Sequence, residues 1–325
     1  MTARRTFLLA AALAPLAPLG YAASGSDFPQ KPIRLIVPFP PGGGVDQIAR
    51  ILGPQLSQAL GQSVVIDNQG GAGGAIGAGA VKRANPDGYT LLMGTASTHG
   101  SNYVVQKDLP YDPVKDFEPI SLLMEAPYVL VANKSVPYDS IAQLNTYANA
   151  HAGKVNFGSY GIGSSNHLAA ELYKALSGAN ITHIPYRGAA QAMTALLAGE
   201  IDITFDTLPN VVPYLKARTV KALGVGARQR SPLFPDIPTV IESGVPGYVS
   251  GTWFGVWAPK GTPPGVIRKL DDAFVQSLHK PAVAKIFEDA GNHVLAAGPA
   301  ALKARVRAEI EGLQRLVKER GLRFD

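Results

Sequence analysis

The chain has 325 residues and no cysteine, with 30 Lys and Arg against 24 Asp and Glu. The lack of thiols excludes disulfides, thiol nucleophiles and thiolate metal sites, so a chain this long must rest on buried cores, and its length fits two domains. Its formal charge of +6 is diffuse, with no basic run interleaved with aromatics, which argues against a nucleic-acid partner and leaves a mild long-range preference for anions.

Residues 1–24 have the pattern of a cleaved export signal. Arg4 and Arg5 form a positive start, 7–19 is an apolar stretch too short for a membrane span, and Gly20-Tyr21-Ala22 is a small-x-small cleavage site. The mature chain is expected to begin near Ala23 and to work in the periplasm. An ordinary Sec signal is favoured, although Arg4-Arg5-Thr6-Phe7-Leu8 also resembles a twin-arginine signal.

Beyond the signal, a continuous apolar run predicts a buried parallel strand over 33–37. Val45, Ile48, Ile51, Leu52, Leu56 and Leu60 recur at helical spacing, with Pro54 as a kink and Gly61 as the stop. A strand over 64–66, a small-residue helix over 72–83 and a strand over 89–93 complete a βαβαβ rhythm, the mark of a parallel sheet covered by helices. The rhythm then restarts. Strands are predicted at 128–132, 155–158, 201–205 and 220–225, with helices at 140–150, along the Leu168, Leu172 and Leu176 stripe, and at 189–198. Residues 229–248, rich in Pro, Gly and Ser, read as a connector. A strand at 252–258 and helices at 264–278, 281–290 and 300–320 follow.

Two segments share one device: an apolar strand, a glycine loop and a helix start. The first is Pro-Phe-Pro-Pro-Gly-Gly-Gly-Val-Asp at 38–46, and the second is Gly-Ser-Tyr-Gly-Ile-Gly-Ser-Ser-Asn at 158–166. Such a junction directs unpaired backbone N–H groups and the positive end of a helix dipole at one point. Two copies suggest a small anion gripped from two sides. Gly42, Gly43 and Gly44 allow close approach or positive φ. Asp46, at the helix start, reads as structural. Ser159, Gly163, Ser164, Ser165 and Asn166 offer more neutral donors than a helix cap needs.

Other chemistries find little support. The glycines of 70–79 fall out of register for a dinucleotide loop, and no phosphate-binding loop motif is present. No serine sits in a nucleophile elbow, and the six histidines show no metal or protease spacing. Asp202 and Asp206 share a strand face but have no nucleophile or metal cluster to serve, so no catalytic, metal or cofactor role is assigned. Asp206 is placed to hold waters or donors in a cleft. Trp253, Trp257 and Phe254 read as core.

Five ordered stretches carry a resemblance. They are IRLIVPFPPGGGVDQIAR at 33–50, GAGGAIGA at 71–78, GSYGIGSSNHLAAELY at 158–173, HIPYRGAAQAMTALLAGEIDITFD at 183–206 and FPDIPTVIESGVPGY at 234–248. From Pro29 to about Pro264 the chain resembles the extracytoplasmic solute receptors of tripartite tricarboxylate transporters, the Bug receptors. The resemblance implies an α/β, type II periplasmic-binding-protein fold with two lobes and a central cleft. It also implies a carboxylated solute held by both glycine loops, partly through main-chain amides and waters, and delivered to membrane permease subunits. Where the family commonly has Asn-Arg-Pro-Gly, this chain has Asn68-Gln69-Gly70-Gly71, a more flexible and uncharged turn.

On this reading residues 25–125 and 249–325 form one lobe and 126–248 the other, with crossings near 125 and 248. Phe39, Thr95, Ser97, Thr98, Tyr186 and Asp206 are the candidates for setting ligand identity, with segment 95–102 facing the cleft. The receptor is expected to act as a monomer. The competing classes are a ligand-sensing module for a signalling partner and a periplasmic hydrolase or isomerase.

Overall fold

The computed structural model describes residues 28–322, so the expected export signal lies outside the described residues. β1 (Ile33–Val37) forms from the apolar run and is almost fully buried. α1 (Gly44–Leu60) follows, with Val45, Ile48, Leu52, Leu56 and Leu60 on its buried stripe, Pro54 inside it and Gly61 closing it in a left-handed conformation. β2 (Val64–Asn68), α2 (Ala75–Lys82) and β3 (Thr90–Thr95) complete the first unit, with β1 parallel to both strands.

Segment 95–102 is not a loop. After β3 the chain makes a π-helical turn, Ser97–Ser101, that runs into α3 (Asn102–Val105). His99 lies fully buried in this turn, stacked on Trp257 with centroids 3.7 Å apart. His99 is therefore closed off from any cleft.

β4 (Phe117–Asn133) is a single strand of 17 residues, of which the sequence pattern predicted only the last third. Pro119 and Pro127 obscure it, since proline donates no ladder hydrogen bond. The register shifts beside Pro119, where the ladder is already irregular. α4 (Ile141–Ala150), β5 (Val155–Ser159), α5 (Ser165–Ser177), β6 (Ile181–Pro185), α6 (Ala189–Ala198), β7 (Ile203–Thr207), α7 (Leu208–Lys216) and β8 (Val220–Val225) build the second unit. Then come β9 (Gly251–Pro259), α8 (Pro264–His279), α9 (Pro281–Asp289), β10 (His293–Ala297) and α10 (Pro299–Arg320).

The strand order is β2-β1-β3-β9-β4-β7-β5-β6, with β8 and β10 also pairing to β4. β4 joins the halves: its first part pairs antiparallel with β9 and β10, and residues from Tyr128 onward pair with β7 and β8. Two large cores flank β4, and the first also takes in Tyr160 and Ala192 from the second unit. One centres on Leu35, Leu52, Phe274 and Phe287, the other on Phe157, Tyr173, Phe205 and Tyr248. Trp253 and Trp257 pack in a further buried cluster beneath α10, on the strand face opposite Phe254.

Candidate ligand cleft

The first glycine loop is fixed from below. Asp46, 3 % exposed, accepts the Gly42 amide at 2.9 Å, the Arg50 guanidinium at 2.9 Å and the Asn68 amide at 3.0 Å. Asn68 also donates to the Phe39 carbonyl at 3.1 Å. The structural role read for Asp46 is thus to clamp the loop. Gly42 alone of the three glycines has positive φ, at 89°, and its amide is committed to that clamp. The first helical bond is Gln47 N–H to the Gly43 carbonyl, so the amides of residues 44–46 precede the ladder and point outward from the helix start.

The second loop is built differently. Its amides are largely satisfied within the protein. Tyr160 N–H donates to the Asn166 side chain, Gly161 N–H to Ser159 Oγ, Gly163 N–H to His167 Nδ1 and Ser164 N–H to the Gly161 carbonyl. Ser164 Oγ donates to the Gly161 carbonyl at 2.6 Å and to Asn166, whose own amide donates to the Phe205 carbonyl. Ser159 Oγ pairs with His183 Nε2 at 2.6 Å. The abundance of donors that pointed to ligand contact is the wiring of a glycine loop with positive φ at Gly161 and Gly163.

Between the loops lies a small, partly open cavity of about 40 Å³, room for roughly three waters. Phe39, Gly43, Gly44 and Val45 line it from the first loop, and Thr95 and Ser97 from the segment after β3. Tyr160, Ser165, Asp206, Thr207 and Ala189 face them from the other half, with Tyr128, Thr252 and Phe254 from the strands between. Ser97 Oγ and Ser165 Oγ meet at 3.0 Å, and Tyr128 Oη lies 2.6 Å from Ser165 Oγ.

A family profile described as the tripartite tricarboxylate transporter family receptor matches residues 48–322. The chain belongs to the tripartite tricarboxylate transporter receptor family. The BugT protein of Bordetella pertussis is 36 % identical to it over 302 residues, covering 93 % of each chain. Among solved structures, the periplasmic binding protein BugD is 36 % identical with a TM-score of 0.88, covering 91 % of this receptor and 99 % of that chain. Two Rhodopseudomonas palustris proteins are each 35 % identical. One, solved with adipate, has a TM-score of 0.88 and covers 91 % of this receptor and 99 % of its own length. The other, MatC, solved with malate, has a TM-score of 0.87 and covers 89 % and 100 %. The fold is therefore that of a two-lobed periplasmic solute-binding protein, and the chain is a solute-binding receptor of this transporter family. Among the described residues no helix is long and apolar enough to cross a membrane.

Of the sequence candidates, the receptor brings Phe39, Gly43, Thr95, Ser97, Ser165 and Asp206 together at the cavity. Gly42, Ser159, Gly163, Ser164 and Asn166 are not on its wall; they brace the loops behind it. Tyr186 is half-buried outside the cavity, packed near Gly158 at the edge of the sheet. Thr98 turns its hydroxyl onto the Thr95 carbonyl and the His99 ring. Sequence reasoning missed Tyr128, Tyr160, Thr207 and Thr252. Tyr160 lies inside the loop motif among its serines and glycines, and Thr207 directly follows Asp206.

The cavity wall carries no Lys or Arg. Burial pushes the Asp206 carboxyl up to about 6, against the opposing pull of its donors. Tyr160 Oη donates to Asp206, Asn210 Nδ2 reaches it at 2.5 Å and the Thr207 amide at 2.7 Å. A wider groove of about 470 Å³ between α5 and α10 is lined by Leu172, Leu316, Arg228 and Arg305. No residue of the 38–46 loop reaches it, so it lacks the helix-start amides that distinguish the smaller cavity.

Proposed function

We propose that this receptor captures a small carboxylated solute in the central cavity and delivers it to the permease subunits of a tripartite tricarboxylate-type transporter. The observation that carries the reading is the start of α1. Its first-turn amides and dipole border a small cavity on whose wall the only formal charge is the buried Asp206 carboxylate. Gly43, Gly44 and Val45 would seat the carboxylate, with Ser97, Thr95 and Ser165 adding hydroxyls and Phe39 an apolar wall. The adipate and malate bound by the two Rhodopseudomonas relatives support the same ligand class.

A cavity of about 40 Å³ does not admit a four-carbon acid without opening. We therefore assign lobe movement to the crossings near 125 and 248, with 25–125 and 249–325 as one body and 126–248 as the other. Ligand would favour closure by bridging both. The receptor acts as a monomer in the periplasm, exported through residues 1–24 by the Sec route, without catalysis or cofactor. Incubation of the purified receptor with a panel of carboxylates tests this. Stoichiometric binding, a raised melting temperature and unchanged ligand are expected. Sustained product formation would turn the assignment to an enzyme. Uptake by a deletion strain separates delivery from sensing.

A further inference from the structure

The groove of about 470 Å³ between α5 and α10 has no part in the carboxylate reading, yet it falls in the ordinary size range of small-molecule sites. A hydrogen-bonded partition separates it from the central cavity. Ser165 and Thr252 line both spaces, and Tyr128 Oη and Ser97 Oγ hold Ser165 Oγ at 2.6 Å and 3.0 Å. Part of the lining is apolar. Leu168 and Leu172 stand one turn apart on α5, and Leu313 and Leu316 line the groove from α10. The rest is charged, and the charges are not equally answered. Arg305 lies 3.5 Å from Glu125 and 3.9 Å from Glu309, and His293 lies 3.4 Å from Glu125. Glu309 also accepts the Trp253 indole N–H at 3.2 Å. Both carboxylates of the wall are thus already paired. Arg228, just beyond β8, has no ion pair or hydrogen bond among the described residues.

We propose that this groove is a second binding site, which takes a single-chain amphiphile from solution, its anionic head paired with Arg228 and its tail laid between the leucines of α5 and α10. The free guanidinium supplies a planar fork of donors for the head. The tail gains about fourfold in affinity for each methylene fully removed from water. A cationic head finds no open partner, because Glu125 and Glu309 are held by Arg305 and its neighbours. The site is independent of the carboxylate reading, since the partition and the small volume of the central cavity keep a long chain out of it.

The test titrates the full receptor with 1-octanesulfonate below its micelle concentration. Calorimetry reads the binding, and so does tryptophan emission, because Trp253 bonds to Glu309 on the groove wall. One molecule per receptor is expected to bind, at least about tenfold tighter than octyltrimethylammonium, the factor that one charge-assisted hydrogen bond supplies. It should also bind at least about tenfold tighter than 1-butanesulfonate, which lacks four methylenes. Arg228→Gln, at an exposed position, should weaken octanesulfonate about tenfold and abolish the preference over the cation. Gly43→Val, which blocks the central cavity, should bind the sulfonate as the wild type does. No saturable binding, equal binding of sulfonate and ammonium, or full affinity in Arg228→Gln overturns the proposal and leaves the carboxylate reading standing. Lost binding in Gly43→Val places the sulfonate in the central cavity and also overturns it. Arg228-dependent binding to phosphatidylglycerol vesicles, without binding of free octanesulfonate, makes the groove a membrane contact and overturns it as well.

Discussion

Ser97 and Ser165 join the two halves of the receptor through a single oxygen. Ser97 Oγ lies 3.0 Å from Ser165 Oγ and accepts the Ser165 amide at 2.9 Å. Two neighbouring bonds reinforce the junction: Ser101 Oγ donates to the Gly163 carbonyl at 2.7 Å, and Gln106 Nε2 to the Ile162 carbonyl at 3.3 Å. The π-helical turn is what aims Ser97 and Ser101 at the second loop, which accords with the frequent use of π turns at functional sites. Ser97→Ala leaves the Ser165 amide without its acceptor. The variant is expected to show a larger radius of gyration by small-angle scattering without ligand and to lose about 1–3 kcal/mol of affinity. An unchanged radius together with unchanged affinity would show that this bond does not hold the lobes together.

Gly43 has φ −84°, so its backbone does not need glycine. This differs from the expectation that the first loop relies on positive φ there. What limits Gly43 is space: an added Cβ would sit 3.5 Å from the Ala189 Cβ of the facing lobe, an ordinary contact. Gly43→Ala is expected to bind within about threefold of wild type. Gly43→Val adds two methyl groups between the lobes and should fold and melt normally yet lose binding. Calorimetry and thermal melts on both variants decide; a valine variant with normal affinity would take the first loop out of the site.

The Asp46 clamp has its own pH signature. Burial alone would raise this carboxyl, but the Arg50, Gly42 and Asn68 hydrogen bonds outweigh it and hold the group below its ordinary value. A lowered native pKa gives stability that is present above the unfolded value and lost as pH falls through the native one. Asp46→Ala is expected to cost about 1–3 kcal/mol at pH 7. The gap in denaturant midpoint between variant and wild type should close as pH drops below 4. A constant gap down to pH 3 would place the cost in lost packing.

His167 and His183 stack at 3.9 Å behind the second loop, with Phe157 against His183. Burial, together with His183 and Lys174 nearby, pushes His167 down to about 3; burial and Lys174 push His183 down to about 4. Depressed native values mean that the neutral rings are favoured in the fold. Their contribution is complete above the unfolded value near 6.5 and is lost as pH falls through about 4 and then about 3. Melting temperature should therefore fall on acidification from pH 6.5. His183→Gln, which keeps a partner for Ser159, should flatten that slope. A variant with the wild-type slope would show that this pair does not govern acid lability.

Much of the architecture could be read directly from apolar spacing. The βαβ rhythm, both glycine loops and the C-terminal helices have unobstructed patterns of period two or 3.6. The elements that escaped carry prolines or lie at irregular edges. Pro119 and Pro127 hid most of β4, Pro209 and Pro213 hid α7, and β10 pairs to β4 through a shifted register. β6 is a short edge strand ending in proline. The site was harder to read. Sequence can count the donors in 158–166, but it cannot show that most of them bond to one another. Nor can it place Tyr160 against Asp206, which requires β5 and β7 to lie side by side in the sheet. Tyr186 is not on the cavity wall for a related reason: it directly follows β6, the edge strand of the sheet.

The central claim is that the start of α1 seats an anion. The most direct measurement is a competition titration of one bound acid against its own primary amide, with skeleton and substituents held fixed. The amide loses charge-assisted bonds and turns an NH₂ group towards N–H donors, so the acid is expected to bind tighter by roughly 2–4 kcal/mol. Equal affinity for acid and amide would contradict the claim, because the amides of Gly44 and Val45 would then not be recognising charge.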